Sequence, residues 1–369
     1  MNENLTTTPL YAILEKAQRR ERIGEREALA LLRIKGDELH SVFAAADAVR
    51  RARVGDDVTY VINRNINFTN ICVGSCGFCA FRANEGDPEA YFLTTEQIVQ
   101  KAAEAWQLGA TEIGLFSGLH PKVNGNTYVE ILKAVKAAVP DIHIHAFSPS
   151  EVAYGADKLG ISYAEMLKML KDAGLGSMPG TAAEILVDDV RKTLCPQKID
   201  TKTWTDIIVT AHRLGIPTTC TMMYGHIESY KNVIAHLRLL RTIQDTTAGF
   251  TEFVPLTFIH YNTPIYRAGI ARPGATGRED LLVYAVSRMY LDNIPNIQVS
   301  WVKLGTKFAQ IALTCGANDL GGTLMEENIT RSAGGTAGQS LTPQEFVRMI
   351  TDLGRNPQVR DTLYQKRQA

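Results

Sequence analysis

From residue 58 onward two patterns alternate along the chain. Short runs rich in β-branched and aromatic residues predict strands at TYVINRNINF (59–68), TEIGLFSG (111–118), IHIHAFS (142–148), GLGSMPG (174–180), PTTCTMMYG (217–225), TEFVPLTF (251–258), NIQVSWV (296–302) and DLGGT (319–323). Longer runs such as TEQIVQKAAEAWQLG, WTDIIVTAHRLG and TKFAQIALTCG repeat apolar residues every three or four positions, the spacing of one helix face. Helix starts are marked by a hydroxyl followed three residues later by an acid or amide: Thr94 with Gln97, Ser162 with Glu165, and Thr342 with Pro343 and Glu345. Eight strands alternating with helices, undivided by any Pro-, Gly- or Ser-rich linker, predict an α/β fold of parallel units closed into a (β/α)8 barrel. The barrel is expected over 58–369, with a closing helix at 343–353, behind an N-terminal helical extension at 1–57.

Composition adds exclusions. Hydrophobic residues at 45%, charged residues at 21% and zero formal net charge describe an ordinary globular chain with a large core, not a disordered one. No basic stripe suggests nucleic acid, and Arg19, Arg20 and Arg22 read as a solvated helix face. No apolar run approaches a membrane span, and MNENLTTTPLYAILEKAQRRER carries charges where a signal segment would be apolar, so a cytoplasmic location is expected.

The chemistry concentrates in NICVGSCGFCAFR, where Cys72, Cys76 and Cys79 are spaced C-x3-C-x2-C at the end of the first strand. Structural zinc is usually closed by four ligands from two separated pairs, and no second C-x2-C or H-x3-H exists. Cys195, Cys220 and Cys315 stand alone, so an ordinary four-cysteine cluster lacks a nearby fourth thiolate. A disulfide framework does not suit a long chain of reducing, intracellular character. Three thiolates can hold three irons of a 4Fe-4S cubane and leave the fourth iron open, able to chelate the amino and carboxylate groups of a molecule such as S-adenosylmethionine. Barrel strands end at the face where active sites form.

The triad, with the aromatic Phe78 before its last cysteine, resembles that of the radical S-adenosylmethionine enzymes. The ordered segments NRNINFTNICVGSCGFCAFR (63–82), AYFLT, SGLHP, HAFSPSEV, PGTAAEIL, HRLGIPTTCTMMYGH and EFVPLTFIHYNTP narrow the resemblance to the CofH family, across most of 58–270. The resemblance implies that a reduced cluster cleaves S-adenosylmethionine to methionine and a 5'-deoxyadenosyl radical. It further implies that this radical activates L-tyrosine at its amino group, that the Cα–Cβ bond breaks to release 2-iminoacetate, and that the 4-hydroxybenzyl unit adds to C5 of 5-amino-6-(D-ribitylamino)uracil on the route to the deazaflavin F_O. An electron donor and a separate CofG-like radical enzyme, which closes the ring, are the implied partners. Aminofutalosine synthase and dehypoxanthine futalosine cyclase of menaquinone biosynthesis share the cysteine loop and offer the enzymatic alternative. A zinc or iron-sulfur binding module is the non-enzymatic one.

Site expectations beyond the cysteines rest on position. Phe78 could shield the cluster. Ser117 and Gly118 stand where the family has Gly-Gly, and their backbone is expected to meet the methionine ammonium. Glu184 and, on the same helix face, Arg191 are candidates for the cofactor, and Tyr224 and His226 end the fifth strand near cofactor or substrate. His143 and His145 share one side of a strand, His145 being nearer the catalytic end and His143 structural. His145, Ser148 and Glu151 are expected in the substrate pocket, as are His260, Tyr261 and Asn262 past the sixth strand. Met222 and Met223 are expected to fill the barrel, and Glu252 to stabilise its bottom. The glycine-rich run 321–340 could form a lid near Asn328 and Arg331.

Overall fold

Parallel strands close into a complete ring in the computed structural model, which describes residues 8–367; the expectations on residues 1–7, at the start of the extension and of the charged N-terminal segment, and on 368 and 369 lie outside it. The strands are β1 (Asp57–Val61), β2 (Asn63–Ile66), β3 (Glu112–Leu115), β4 (His143–Ala146), β5 (Thr218–Tyr224), β6 (Phe250–Thr257), β7 (Asn296–Ile297), β8 (Asp319–Gly322) and β9 (Asn356–Arg360). The first predicted strand is thus two ladders in one extended run. β1 pairs with β8 through Thr59↔Asp319 and Val61↔Gly322, and β2 pairs with β3 from Asn63↔Glu112 to Ile66↔Leu115. β3 pairs with β4, β5 with β6 and β6 with β7. Single bridges His145↔Ser177, Met178↔Thr218 and Gln298↔Asp319 complete the circle.

Segment 174–180 makes bridges and no ladder because Gly174, Gly176 and Gly180 resist extension and Pro179 has no N–H to donate. The seventh strand ends at Ile297, and the chain turns into the short helix Trp301–Leu304, where the sequence pattern predicted strand to residue 302.

The helices start where their capping residues predict. Thr94 Oγ1 accepts from Gln97 N at 3.3 Å and Gln97 Oε1 accepts from Thr94 N at 2.9 Å, opening Thr95–Gln107. That helix buries Ile98, Ala102 and Ala105, one stripe against the sheet. The boxes at Ser162 and Thr342 form in the same way, the second opening the closing helix Pro343–Asp352.

Two features lie outside the eight barrel units. Helices Leu10–Gln18, Glu25–Leu32 and Glu38–Val54 precede β1 and pack on Tyr230–Thr247 and Gly277–Tyr290. Arg22 does not merely solvate a face; it pairs with Asp245 at 2.5 Å and Asp292 at 2.8 Å, tying the extension to the barrel. The unpredicted β9 runs parallel to β1 from Asp57↔Asn356 to Val61↔Arg360. The chain after it inserts Thr362 and Tyr364 into the floor, where they donate to Glu112 and Glu252. Among the described residues no helix is long and apolar enough to cross a membrane.

Candidate active site

The barrel mouth opens into a cavity of about 560 Å³ lined by the ends of the strands and their loops. Strand parity decides which side chains reach it. Thr219, Thr221 and Met223 of β5 and Glu252, Val254 and Leu256 of β6 line the cavity, so their sequence neighbours face the helices. Cys72, Cys76 and Cys79 line the same wall as Phe78, Ser117, Gly118, Glu184 and Lys198.

The cysteine loop is held from several sides. Cys72 Sγ accepts from Leu119 N at 3.2 Å and Gly74 N at 3.4 Å, and Val73 N donates to Leu119 O at 2.9 Å. Gly77 N donates to Leu194 O and its own carbonyl accepts from Ile265 N at 2.8 Å. Gly118 must lack a side chain, since a Cβ there would stand 2.4 Å from Ile71 O and 3.0 Å from Cys72 Cβ. Burial pushes the Cys76 thiol up to about 12 despite the nearby Lys198 ammonium. Burial also raises Cys79, against hydrogen bonds from the Phe81 and Arg82 backbone.

Beside the thiols stands an ion pair. Lys198 Nζ donates to Glu184 Oε1 and lies 5.2 Å from the centre of the Phe78 ring. Burial alone would raise the Glu184 carboxyl, but the Lys198 charge and hydrogen bond, helped by Arg191 and His226, hold it below the usual range. Glu184 and Ala182 both have positive φ, 44° and 67°, a backbone that costs a non-glycine residue about 1–2 kcal/mol each. Arg191 holds this turn, donating to the carbonyls of Ala182, Ala183 and Ile199. Its two terminal nitrogens are therefore spent on the backbone, and it does not line the cavity.

Across the cavity, Ser148 caps helix Pro149–Leu159. Glu151 Oε2 accepts from Ser148 N and Ser148 Oγ, both at 2.7 Å. Its other oxygen, Oε1, is buried and makes no well-formed hydrogen bond, although the Ser117 backbone amide lies close enough to act on the carboxylate. Burial pushes the Glu151 carboxyl up to about 7, against hydrogen bonds from Ser148 and the Ser117 backbone. Deeper, Ser177 Oγ lies 2.7 Å from both His143 Nε2 and His145 Nδ1. His145 lines the cavity, and burial lowers it to about 4 although Glu112 opposes this, which leaves it neutral. His143 sits below, off the cavity.

Other expectations are corrected by placement. Tyr224 has the outward parity of β5, and its hydroxyl donates to Asp280 at 2.7 Å in the helix layer. His226 follows Gly225 (φ 94°) and folds back, with Nε2 3.0 Å from Met223 O and Nδ1 accepting from Ile227 N. His260 packs between Tyr261 and Tyr266 at 4.1 and 4.4 Å, outside the cavity. Tyr261 is 62% exposed and borders a separate outer groove. Asn262 binds the backbone of Ser332 and Ala333, fastening the glycine-rich loop. That loop lines the cavity through Leu324, Glu327, Ile329, Thr330 and Ala333; Asn328 and Arg331 do not line it. Met223 lines the lumen, whereas Met222 faces the helices. Glu252 is at the bottom as expected and also lines the cavity, pushed up to about 7 by burial against the Arg360 charge.

Residues 66–240 match the model of the radical SAM superfamily and residues 247–369 that of the CofH/MqnC C-terminal region. A protein of Methanothermobacter thermautotrophicus named 5-amino-6-(D-ribitylamino)uracil–L-tyrosine 4-hydroxyphenyl transferase is 55% identical over 96% of this chain and 96% of its own length. The protein of the same name from Methanocaldococcus jannaschii is 56% identical over 94% of this chain and 97% of its own. The chain belongs to the CofH family of radical SAM enzymes. The family's fold reaches further: methylornithine synthase PylB superposes with a TM-score of 0.75 at 18% identity, over 94% of this chain and 97% of its own. The FeFe-hydrogenase maturase HydG of Carboxydothermus hydrogenoformans gives 0.72 at 17% identity, over 96% of this chain and 80% of its own.

Membership of the radical SAM superfamily implies a 4Fe-4S cluster and S-adenosylmethionine, and this CofH-family cavity fits both. Among the described residues no three His, Cys, Asp or Glu side chains are arranged to hold one metal ion. Three thiols on one cavity loop match a cluster, whose irons each take one sulfur, and fall short of the four ligands of a closed structural zinc site. Glu151 Oε1, buried on the cavity wall without a well-formed hydrogen bond, leaves a bound molecule an acceptor there. Sequence reading missed Lys198, Lys303, Glu327, Glu112 and Arg360, all of which line the cavity. For Lys303 a signal was available, since it follows the seventh barrel strand directly.

Proposed function

We propose that this chain cleaves L-tyrosine at Cα–Cβ and transfers its 4-hydroxybenzyl unit to C5 of 5-amino-6-(D-ribitylamino)uracil, releasing 2-iminoacetate, in the cytoplasmic synthesis of F_O. The observation that carries this reading is near-full-length identity above one half to relatives bearing the transferase name, joined to an intact thiol triad on a barrel-mouth cavity. When bound, the cluster and S-adenosylmethionine supply one electron and a 5'-deoxyadenosyl radical that takes hydrogen from substrate.

The chain's own residues do the holding. Cys72, Cys76 and Cys79 would hold the cluster, one sulfur to an iron, with the fourth iron left to S-adenosylmethionine. Phe78, beneath the Lys198 ammonium, keeps water from that wall. Gly118 N and Leu119 N are already engaged by Thr69 O and Cys72 Sγ, and the carbonyls of Ser117 and Gly118 serve as acceptors for the methionine ammonium. Glu151 Oε1 takes a ribose hydroxyl, and Glu184 stays ionised beside Lys198 as a second acceptor on the cofactor side. Neutral His145, with Glu112 and Glu252 on the floor, offers polar contacts to a ribityl chain or phenol. The glycine-rich loop, fastened by Asn262, excludes the water that would quench a radical. Arg191, Tyr224 and His226 act on the scaffold, and His260 and Tyr261 on the outer groove. A reductant for the cluster and a CofG-like enzyme that takes the adduct onward complete the reading.

The reading is tested by incubating the anaerobically reconstituted, reduced protein with S-adenosylmethionine, tyrosine and the ribitylaminouracil, followed by mass spectrometry. The expected products are 5'-deoxyadenosine and the coupled adduct. Deoxyadenosine released only with a futalosine-type substrate would move the chain to the menaquinone-pathway alternative, consistent with a C-terminal family model shared by CofH and MqnC.

A further inference from the structure

Four cationic side chains line the cavity: Arg82, Lys198, Lys303 and Arg360. Three are occupied. Arg82 donates to Cys72 O at 3.0 Å and Asn84 Oδ1 at 2.7 Å. Lys198 is paired with Glu184, and Arg360 with Asp319. The Lys303 ammonium has no hydrogen bond or ion pair among the described residues. It projects from the helix Trp301–Leu304 at the catalytic end of the seventh strand, and borders both the cavity and the outer groove, which it shares with Ile259. Burial lowers its proton affinity, with Glu327 and Glu184 the opposing charges that reach it. The Glu327 carboxylate is already engaged, accepting from Thr330 N at 3.0 Å. A half-buried ammonium in such a place is incomplete until an anion joins it.

The small molecules of the proposed reaction show which anion fits. The carboxylate of S-adenosylmethionine belongs to the open iron, and the ribitylaminouracil has no carboxylate. Tyrosine brings one, and no other cation lining the cavity is free of a hydrogen bond or ion pair.

We infer that Lys303 is the positioning residue that receives the α-carboxylate of the amino acid substrate, an assignment that rests on the reading of this chain as a tyrosine-cleaving enzyme. The contact selects an α-amino acid over the corresponding amine and fixes the Cα end of the substrate at the mouth.

The test uses unreduced, cluster-loaded protein with S-adenosylmethionine, in which no turnover occurs, and equilibrium binding of L-tyrosine and of tyramine, which lacks the carboxylate. Wild-type protein is expected to prefer tyrosine by about 10- to 100-fold, the range for a charge-assisted hydrogen bond. In Lys303→Met that preference falls to within about 2-fold while tyramine affinity is kept, and Lys303→Arg retains most of it. A Lys303→Met protein that prefers tyrosine as strongly as wild type overturns the assignment. If Lys303→Met binds neither ligand, the arginine variant decides: kept preference supports the assignment, and lost preference overturns it. Wild-type protein that binds no tyrosine would instead overturn the underlying reading of the substrate.

Discussion

Replacing Lys198 by methionine should unfold the cysteine wall's support more than it disturbs any other part of the barrel. Glu184 and Lys198 have side chains only 10% and 18% exposed, and the lysine is the direct partner of a carboxylate with no other ion pair within reach. Removing one member of a buried pair costs about 3–5 kcal/mol because the other is left charged and dry. Arg191 and His226 still lie near Glu184, which places the expected loss at the lower end, about 3 kcal/mol. For a chain of this length that is a fall in melting temperature of about 4 °C. Urea unfolding of the metal-free protein measures it directly. The double variant Lys198→Met/Glu184→Gln removes the stranded charge and should recover to within about 1 kcal/mol of wild type. A single variant within about 0.5 kcal/mol of wild type, or a double variant as unstable as the single, would refute the buried-pair reasoning.

Other perturbations separate the remaining parts. Gly118→Ala forces a methyl against Ile71 O and Cys72 Cβ, so iron retained after reconstitution should fall, with stability down by about 1–3 kcal/mol. Alanine at Cys72, Cys76 or Cys79 should each abolish the iron-sulfur absorbance and deoxyadenosine release while circular dichroism stays that of the folded barrel. His236 bridges Leu186 N and Thr221 O, and burial lowers it to about 3. Its contribution is therefore complete above the unfolded value near 6.5 and lost as pH falls toward 3, about 2 kcal/mol by pH 5. His236→Gln keeps both hydrogen bonds and should flatten this acid limb in urea titrations at pH 7.5 and 5. Arg360→Met strands Asp319 and Glu252 on the floor and should cost about 3–5 kcal/mol in the same assay.

The ring of strands was legible because a barrel strand repeats a short apolar run bounded by turn residues, and each of the eight runs sits on the ring. The cysteine triad was legible because its chemistry depends on local spacing. What escaped the sequence depended on parity and on distant partners. Tyr224 and Met223 are adjacent, and one residue of register decides that Met223 sees the cavity and Tyr224 the helices. Arg191 looked like a cofactor ligand because seven-residue spacing would put it on one helix face with Glu184; the helix begins only at Asp188, and the strained turn at Ala182 and Glu184 shows what Arg191 holds. Lys198 lies 14 residues from Glu184 and meets it through folding alone. β9 carries a proline and no apolar alternation, so its pairing with β1 and the floor contacts of Arg360, Thr362 and Tyr364 left no local trace.

Tyrosine labelled with ¹³C in its ring, and separately at Cα, tests the bond cleavage at the heart of the proposed function. With the reduced enzyme, S-adenosylmethionine and the ribitylaminouracil, ring label should appear in the uracil adduct, and Cα label only in glyoxylate formed by hydrolysis of 2-iminoacetate. Both labels in one product, or ring label absent from the uracil while deoxyadenosine accumulates, would contradict it.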